Sequence, residues 1–188
     1  MIRAFVALLI PPDWTEYLRG VSSGLAAGTR GFSWVKPENV HVTLRFLGDL
    51  DEPGVARARE SVRRAGADRP APLARLGALG AFPSLARPRV VWMGLAEGAE
   101  AVSDLAQAVN AALEQAGFGA PDKPFRAHLT LARVREGARG LEAIREARID
   151  PPPAAAALDR VAVMKSDLHP SGARYTALEE VRLRPPGR

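Results

Sequence analysis

Val40-His41-Val42-Thr43-Leu44-Arg45-Phe46 and, in the second half of the chain, Ala127-His128-Leu129-Thr130-Leu131-Ala132-Arg133 carry one pattern twice: His-apolar-Thr-Leu on an apolar run. Strict alternation of this kind marks a strand with one face buried, and on a strand residues two apart share a face. His41 and Thr43 therefore project together, with Arg45 beyond them, while Val40, Val42, Leu44 and Phe46 point into the core. In the second copy His128 and Thr130 share a face, and Leu129 and Leu131 pack beneath. If the two halves fold as related lobes, the two His/Thr pairs can face each other across one groove.

Working outward, residues 3–10 form a near-continuous apolar strand and 12–26 a helix opened by Pro12 and Asp13. Strands at 32–35 and 40–47 flank the turn residues Pro37, Glu38 and Asn39. Residues 52–67 have helical composition and carry Arg57, Arg59, Arg63 and Arg64, which fit a solvated face better than a phosphate-binding stripe. Strands follow at 73–82 and 89–95. The helix at 99–116 is marked by Val102, Leu105, Val109 and Leu113 and stopped by Gly117 and Gly119. A strand at 126–134, a short helix at 141–147, a proline-rich connector at 150–153 and strands at 159–166 and 174–183 complete the order. His169, Pro170, Ser171 and Gly172 lie in the last loop, and 184–188 reads as a frayed end. Strands and helices alternate irregularly, which predicts α+β with mostly antiparallel sheet. Residues 1–188 are expected to form one ordinary domain, or two small lobes sharing a groove.

A chain of 188 residues is long enough to bury a sizeable core without staples. It has no cysteine, which excludes disulfide scaffolds, Cys-ligated metals and any thiol nucleophile. The net charge of +5 suits an anionic partner such as RNA or a nucleotide, although arginine abundance alongside Ala, Gly and Pro is also what a GC-rich coding sequence produces. The apolar run 4–10 is far shorter than the ~20 residues of a spanning helix, and Pro11, Pro12 and Asp13 stand where a signal-peptide cleavage site would lie. No membrane association and a cytoplasmic location are expected.

With only three histidines, His41, His128 and His169, imidazole chemistry has few places to reside. Two imidazoles facing one groove make a matched acid and base near neutral pH. The neutral ring takes a proton from an incoming hydroxyl, and the protonated ring gives one to the departing oxygen. Thr43 and Thr130 can donate to the non-bridging oxygens of a phosphate between them. No metal is needed for this division of labour, and no histidine here has metal-ligand spacing. A single His-x-Thr is common by chance; the repetition on matching strands is what singles it out.

In its extended context, from Trp34 to Gly48, the first motif resembles the first signature of the two-histidine phosphoesterases, in the branch of RNA 2′,3′-cyclic phosphodiesterases, or 2′-5′ RNA ligases. Phe125-Arg126-Ala127-His128-Leu129-Thr130-Leu131-Ala132-Arg133 resembles the second. Arg3, Phe5 and Ala7, the run from Arg87 to Trp92, and the segment from Ser166 to Tyr175 also match in order, so the resemblance spans essentially the whole chain. Ala127 departs from the family's usual proline, a change that loosens the entry to His128 without removing a catalytic group. The resemblance implies a bilobal fold, two mostly antiparallel sheets flanked by helices around a central catalytic cleft. It also implies that His41 is the proton donor and His128 the acceptor, an order the near-symmetric copies leave open by themselves. The implied reaction opens a 2′,3′-cyclic phosphate to a 2′-phosphomonoester; an RNA 5′-hydroxyl in place of water would give a 2′-5′ linkage. ATP is not called for, and no Gly-rich phosphate loop is present. No cofactor is expected. The expected substrates are RNAs with 2′,3′-cyclic phosphate ends, tRNA fragments among the candidates, acted on by a monomer.

Other residues carry divided expectations. Arg133 is a candidate phosphate contact, although strict alternation points it to the core unless a bulge re-aims it. Arg45 is either a phosphate contact or a solvated cation. Trp34 and Tyr175 can stack on a base or line the core rim, and His169 fits plain surface better than function. Two rival functions remain open: the same chemistry on a small cyclic-phosphate nucleotide, and an RNA- or nucleotide-binding module without turnover.

Overall fold

The computed structural model describes residues 1–169 and 172–187, so Pro170 and Ser171 of the last loop and the terminal Arg188 lie outside the described residues. The strands are β1 (Ile2–Leu9), β2 (Arg30–Trp34), β3 (His41–Leu50), β4 (Leu73–Phe82), β5 (Val90–Glu97), β6 (Leu129–Arg139), β7 (Ala156–Ala157), β8 (Arg160–Asp167) and β9 (Arg174–Arg182). The helices are α1 (Pro12–Ala27), α2 (Glu52–Gly66), α3 (Ala99–Gln115) and α4 (Leu141–Arg145). All strand pairs are antiparallel, in the order β7-β4-β5-β6-β3-β1-β8-β9, with β2 also on β6. The antiparallel α+β architecture is thus the one the alternation pattern predicts, and the flanking helices are those the resemblance implies. Its two halves meet at β3 and β6, which pair through Val42 and Leu129 alone. Beyond that pair, β3 and β6 share no further register among the described residues.

Local chemistry explains the element boundaries. Pro12 starts α1, and Trp14, Leu18, Ser22 and Leu25 bury one stripe of it at three- and four-residue steps. Asp51 caps α2 by accepting from Gly54 N at 2.8 Å. Of the α2 arginines, Arg59 and Arg63 pair with Glu179 on β9 and Arg57 lies over the Phe118 ring, so they tie the helix down rather than form a phosphate stripe. α3 buries Val102, Leu105, Ala106, Val109 and Leu113. The main core joins these helices to Val6, Leu8, Val42, Leu44, Leu129, Leu131, Val161 and Val163.

Three expectations are corrected. β6 begins at Leu129 rather than at 126, because β3 offers it no partner earlier, and His128 sits in the extended run-in. Arg184 is not frayed: its N–H donates to Arg69 O and its carbonyl accepts from Ala71 N, both at 2.8 Å. The pleat is also not strict. On β3 the pairing with β1 skips Leu44 and then Leu47, and on β6 the pairing with β5 skips Leu131. Each skip is a β-bulge, where one extra residue reverses which face the following side chains take.

Candidate active site

Val42 and Leu129 pair across the join and both point into the core. Their neighbours must point the other way. Counting one step along the antiparallel pair sets His41 beside Thr130 and Thr43 beside His128, a four-residue group with approximate two-fold symmetry about the Val42–Leu129 pair. The same symmetry governs the rings. His41 Nδ1 donates to Asn39 O at 2.7 Å, and His128 Nδ1 donates to Arg126 O at 2.7 Å. A carbonyl oxygen only accepts, so both Nδ1 atoms carry hydrogen and the neutral rings keep their lone pair on Nε2. Thr43 Oγ1 lies 2.9 Å from His41 Nε2. Asn39 is held in turn, its Nδ2 donating to Ala173 O at 2.8 Å.

Aromatic rings wall both imidazoles. Phe5 stacks on His41 with centroids 4.9 Å apart, and Tyr175 meets His41 edge-on at 5.6 Å. Around His128, Phe82 lies edge-on at 5.1 Å and Trp92 at 6.1 Å, and Arg126 sits over the Phe82 ring. The Trp92 indole lies flat across Gly80 and Gly94: a Cβ on Gly80 would run into its ring, and one on Gly94 would come within 3.2 Å of Cζ3. These glycines are required by the close approach of the ring, not by their backbone angles.

Burial pushes both imidazoles below the ordinary value of 6.5. For His41 the Asn39 carbonyl opposes this, and the charge of His128 adds to the lowering. For His128 the Arg126 carbonyl opposes it, while the charges of Arg126 and Arg133 add to it. The charge of His128 therefore acts on His41, and that of Arg133 acts on His128.

The bulges decide the two arginines. After Leu131 is skipped, Ala132 turns inward beside Val91, and exposed Arg133 shares the face of Thr130. After Leu44 is skipped, the reversal goes against expectation: Arg45 leaves the face of His41. It is 8% exposed, donates from Nη1 to Asn110 Oδ1 at 2.8 Å and from Nη2 to Gly119 O at 3.0 Å, and so contacts neither cleft nor solvent as was expected. Phe46, expected in the core, comes out on the cleft face, 67% exposed with its ring 6.2 Å from Phe5. Aligning the two motifs makes the equivalence plain: the fifth residue after each histidine, Phe46 or Arg133, is the one the bulge delivers to the groove.

Other candidates fall where their packing puts them. Trp34 stacks on Phe32 at 5.8 Å and packs with the core, away from the histidines. The His169 carbonyl accepts from Gly172 N at 2.9 Å. Phe5, Phe82 and Trp92 were not singled out as site residues by sequence reasoning, since each is an ordinary apolar residue in a strand pattern. Among the described residues no group of three or more His, Asp or Glu could hold a metal, and no helix is long and apolar enough to cross a membrane.

The family model of the 2′-5′ RNA ligase superfamily matches residues 22–170. The chain belongs to the 2′-5′ RNA ligase superfamily. Within this superfamily, an RNA 2′,3′-cyclic phosphodiesterase of Archaeoglobus fulgidus is 38% identical over 134 residues, covering 71% of this chain and 73% of that protein. One of Thermotoga maritima with the same name is 30% identical over 179 residues, covering 95% and 94%. A solved structure from Thermus thermophilus superposes with a TM-score of 0.77 at 30% identity, covering 98% of this chain and 99% of that one. The fold is also that of E. coli LigT, with a TM-score of 0.74 at 24% identity over 97% and 98% of the two chains.

Proposed function

We propose that this superfamily member hydrolyses RNA 2′,3′-cyclic phosphates to 2′-phosphomonoesters by paired-histidine acid–base catalysis. The observation that carries the proposal is the two-fold group of His41, Thr43, His128 and Thr130, with both Nδ1 atoms tied to backbone carbonyls so that both Nε2 atoms do the proton transfer. The relatives named RNA 2′,3′-cyclic phosphodiesterase support the same reading.

His128 is assigned as the base, the order the family resemblance implies; burial, with the charges of Arg126 and Arg133, lowers its pKa. Its Nε2 takes a proton from water as the water oxygen bonds to phosphorus. The phosphorus–O3′ bond breaks, and protonated His41 gives its Nε2 proton to O3′. The 2′-phosphate remains on the RNA, and the two rings have exchanged protonation states and reset through solvent. Thr43, Thr130 and Arg133 donate to the non-bridging oxygens, where charge accumulates. Phe46, Phe5 and Tyr175 form an aromatic wall on the His41 side suited to a base or ribose. An RNA 5′-hydroxyl replacing water would make a 2′-5′ linkage by the same step, the cyclic ester supplying the strain. Imidazoles move the protons and a guanidinium holds the charge, so excess EDTA should leave the rate unchanged.

The test is a short RNA ending in a 2′,3′-cyclic phosphate, incubated with the protein in EDTA beside His41→Ala and His128→Ala, with the product mapped as 2′- or 3′-phosphate. A 2′-phosphate from the unsubstituted protein alone is expected. A 3′-phosphate would overturn the leaving-group assignment; binding without product would leave a nucleotide-binding module.

A further inference from the structure

The arginines of this chain divide by their partners. Arg19, Arg59, Arg63, Arg75, Arg160 and Arg182 each have a carboxylate within ion-pair distance. Among the described residues no carboxylate pairs with Arg126, Arg133 or Arg135, the cations on and beside the groove face of β6. Arg133 and Arg135 are both exposed and stand two residues apart beyond the Leu131 bulge, so they share the face of Thr130. Ser33 on β2, directly opposite Arg133, accepts from Arg135 Nε at 3.1 Å. That bond uses Nε of a side chain that is otherwise exposed.

We propose that Arg135, braced by Ser33, is a second phosphate subsite, seating the backbone phosphate one nucleotide upstream of the cyclic end. The site then takes an oligonucleotide in preference to a mononucleotide. This rests on the cyclic phosphodiesterase reading above and adds the length and path of its substrate. Two residues of strand span about 7 Å, a distance comparable to the repeat of an extended single-stranded backbone. A row running from the His128–Thr130 pair through Arg133 to Arg135 therefore presents cations in step with consecutive phosphates. Like charges left side by side without a carboxylate between them repel, and a polyanion laid along the row relieves that repulsion. The ion-paired arginines named above lie on other elements; along β6 none is neutralised by a carboxylate among the described residues.

The experiment compares kcat/KM on cytidine 2′,3′-cyclic phosphate with kcat/KM on a short RNA ending in the same cyclic nucleotide, using the unsubstituted protein, Arg135→Gln, Arg135→Lys and Ser33→Ala. The unsubstituted protein should favour the oligonucleotide. Arg135→Gln should cost about tenfold on the oligonucleotide and nothing on the mononucleotide. It should also flatten the log–log salt slope by about 0.7, the value for one phosphate contact on a single strand. Arg135→Lys should keep the slope, and Ser33→Ala should give a smaller loss confined to the oligonucleotide. Equal losses on both substrates, or none on the oligonucleotide, would overturn the subsite. Fluorescence anisotropy of a labelled RNA carrying a 2′-phosphate is measured on the same proteins. If neither cyclic substrate is turned over, the catalytic reading fails, and the subsite still stands or falls on whether Arg135→Gln weakens that binding.

Discussion

Arg45 and Arg133 should respond to substitution in opposite ways. Arg45→Met removes the donors of buried Asn110 Oδ1 and the Gly119 carbonyl, and should destabilise the fold by about 2–3 kcal/mol, read as a lower urea midpoint. Below its melting range that variant should keep its KM. Arg133→Gln should leave the midpoint within about 0.5 kcal/mol, since Arg133 is exposed, and lower kcat/KM about 100-fold, since the proposed mechanism sets its charge against the non-bridging oxygens. The imidazoles make a pH prediction as well. Both are held below 6.5, so the bell of kcat/KM for the free enzyme should centre on the acid side of that value, its limbs belonging to the coupled pair. In Arg133→Gln one cation beside His128 is gone, and the bell should move to higher pH.

At the scale of elements, the bulges on β3 and β6 and the small-residue floor of β4 and β5 position the groups that act. Trp92 lies over Gly80 and Gly94 and supports His128 from below. Gly80→Ala inserts a methyl group where the indole ring is. The ring must rise toward His128, at a cost of about 1–3 kcal/mol. Such a variant should fold and lose kcat, whereas Gly20→Ala on α1, where nothing lies within 4 Å of the added Cβ, should be active and slightly more stable. Assays of kcat and melting temperature on the two variants separate these outcomes.

The whole molecule should weaken in acid in two steps. For the histidines, whose folded pKa values lie below the unfolded one, the contribution to stability is complete above about 6.5. It is lost as pH falls through the folded values, because the unfolded chain takes up protons first. Glu179, held below the ordinary carboxylate range by Arg63 and Arg59, contributes above its unfolded value and loses that contribution as pH falls through its folded one. It joins α2 to β9. Urea midpoints measured from pH 8 to pH 3 should show both steps, and Glu179→Gln should remove the lower one.

The sequence by itself determined the two apolar strands at or beside the histidines, the two-residue spacing of each histidine from a threonine, the helices with their apolar stripes and the antiparallel α+β class, because periodicity and turn chemistry are local. It also singled out His41 and His128, since the repeat is written in adjacent residues. Only the tertiary structure decided that Arg45 is buried and Phe46 exposed, and that Arg133 faces the groove. A bulge is set by the register between strands far apart in the chain, and strict alternation within one strand cannot reveal it. The aromatic wall likewise waited for the fold: Phe5, Phe82 and Trp92 look like any strand residues until β1, β4 and β5 bring them against the imidazoles. The meeting of the two halves at Val42 and Leu129 brought two similar strands together, because one register step to either side of that pair sets His41 by Thr130 and Thr43 by His128.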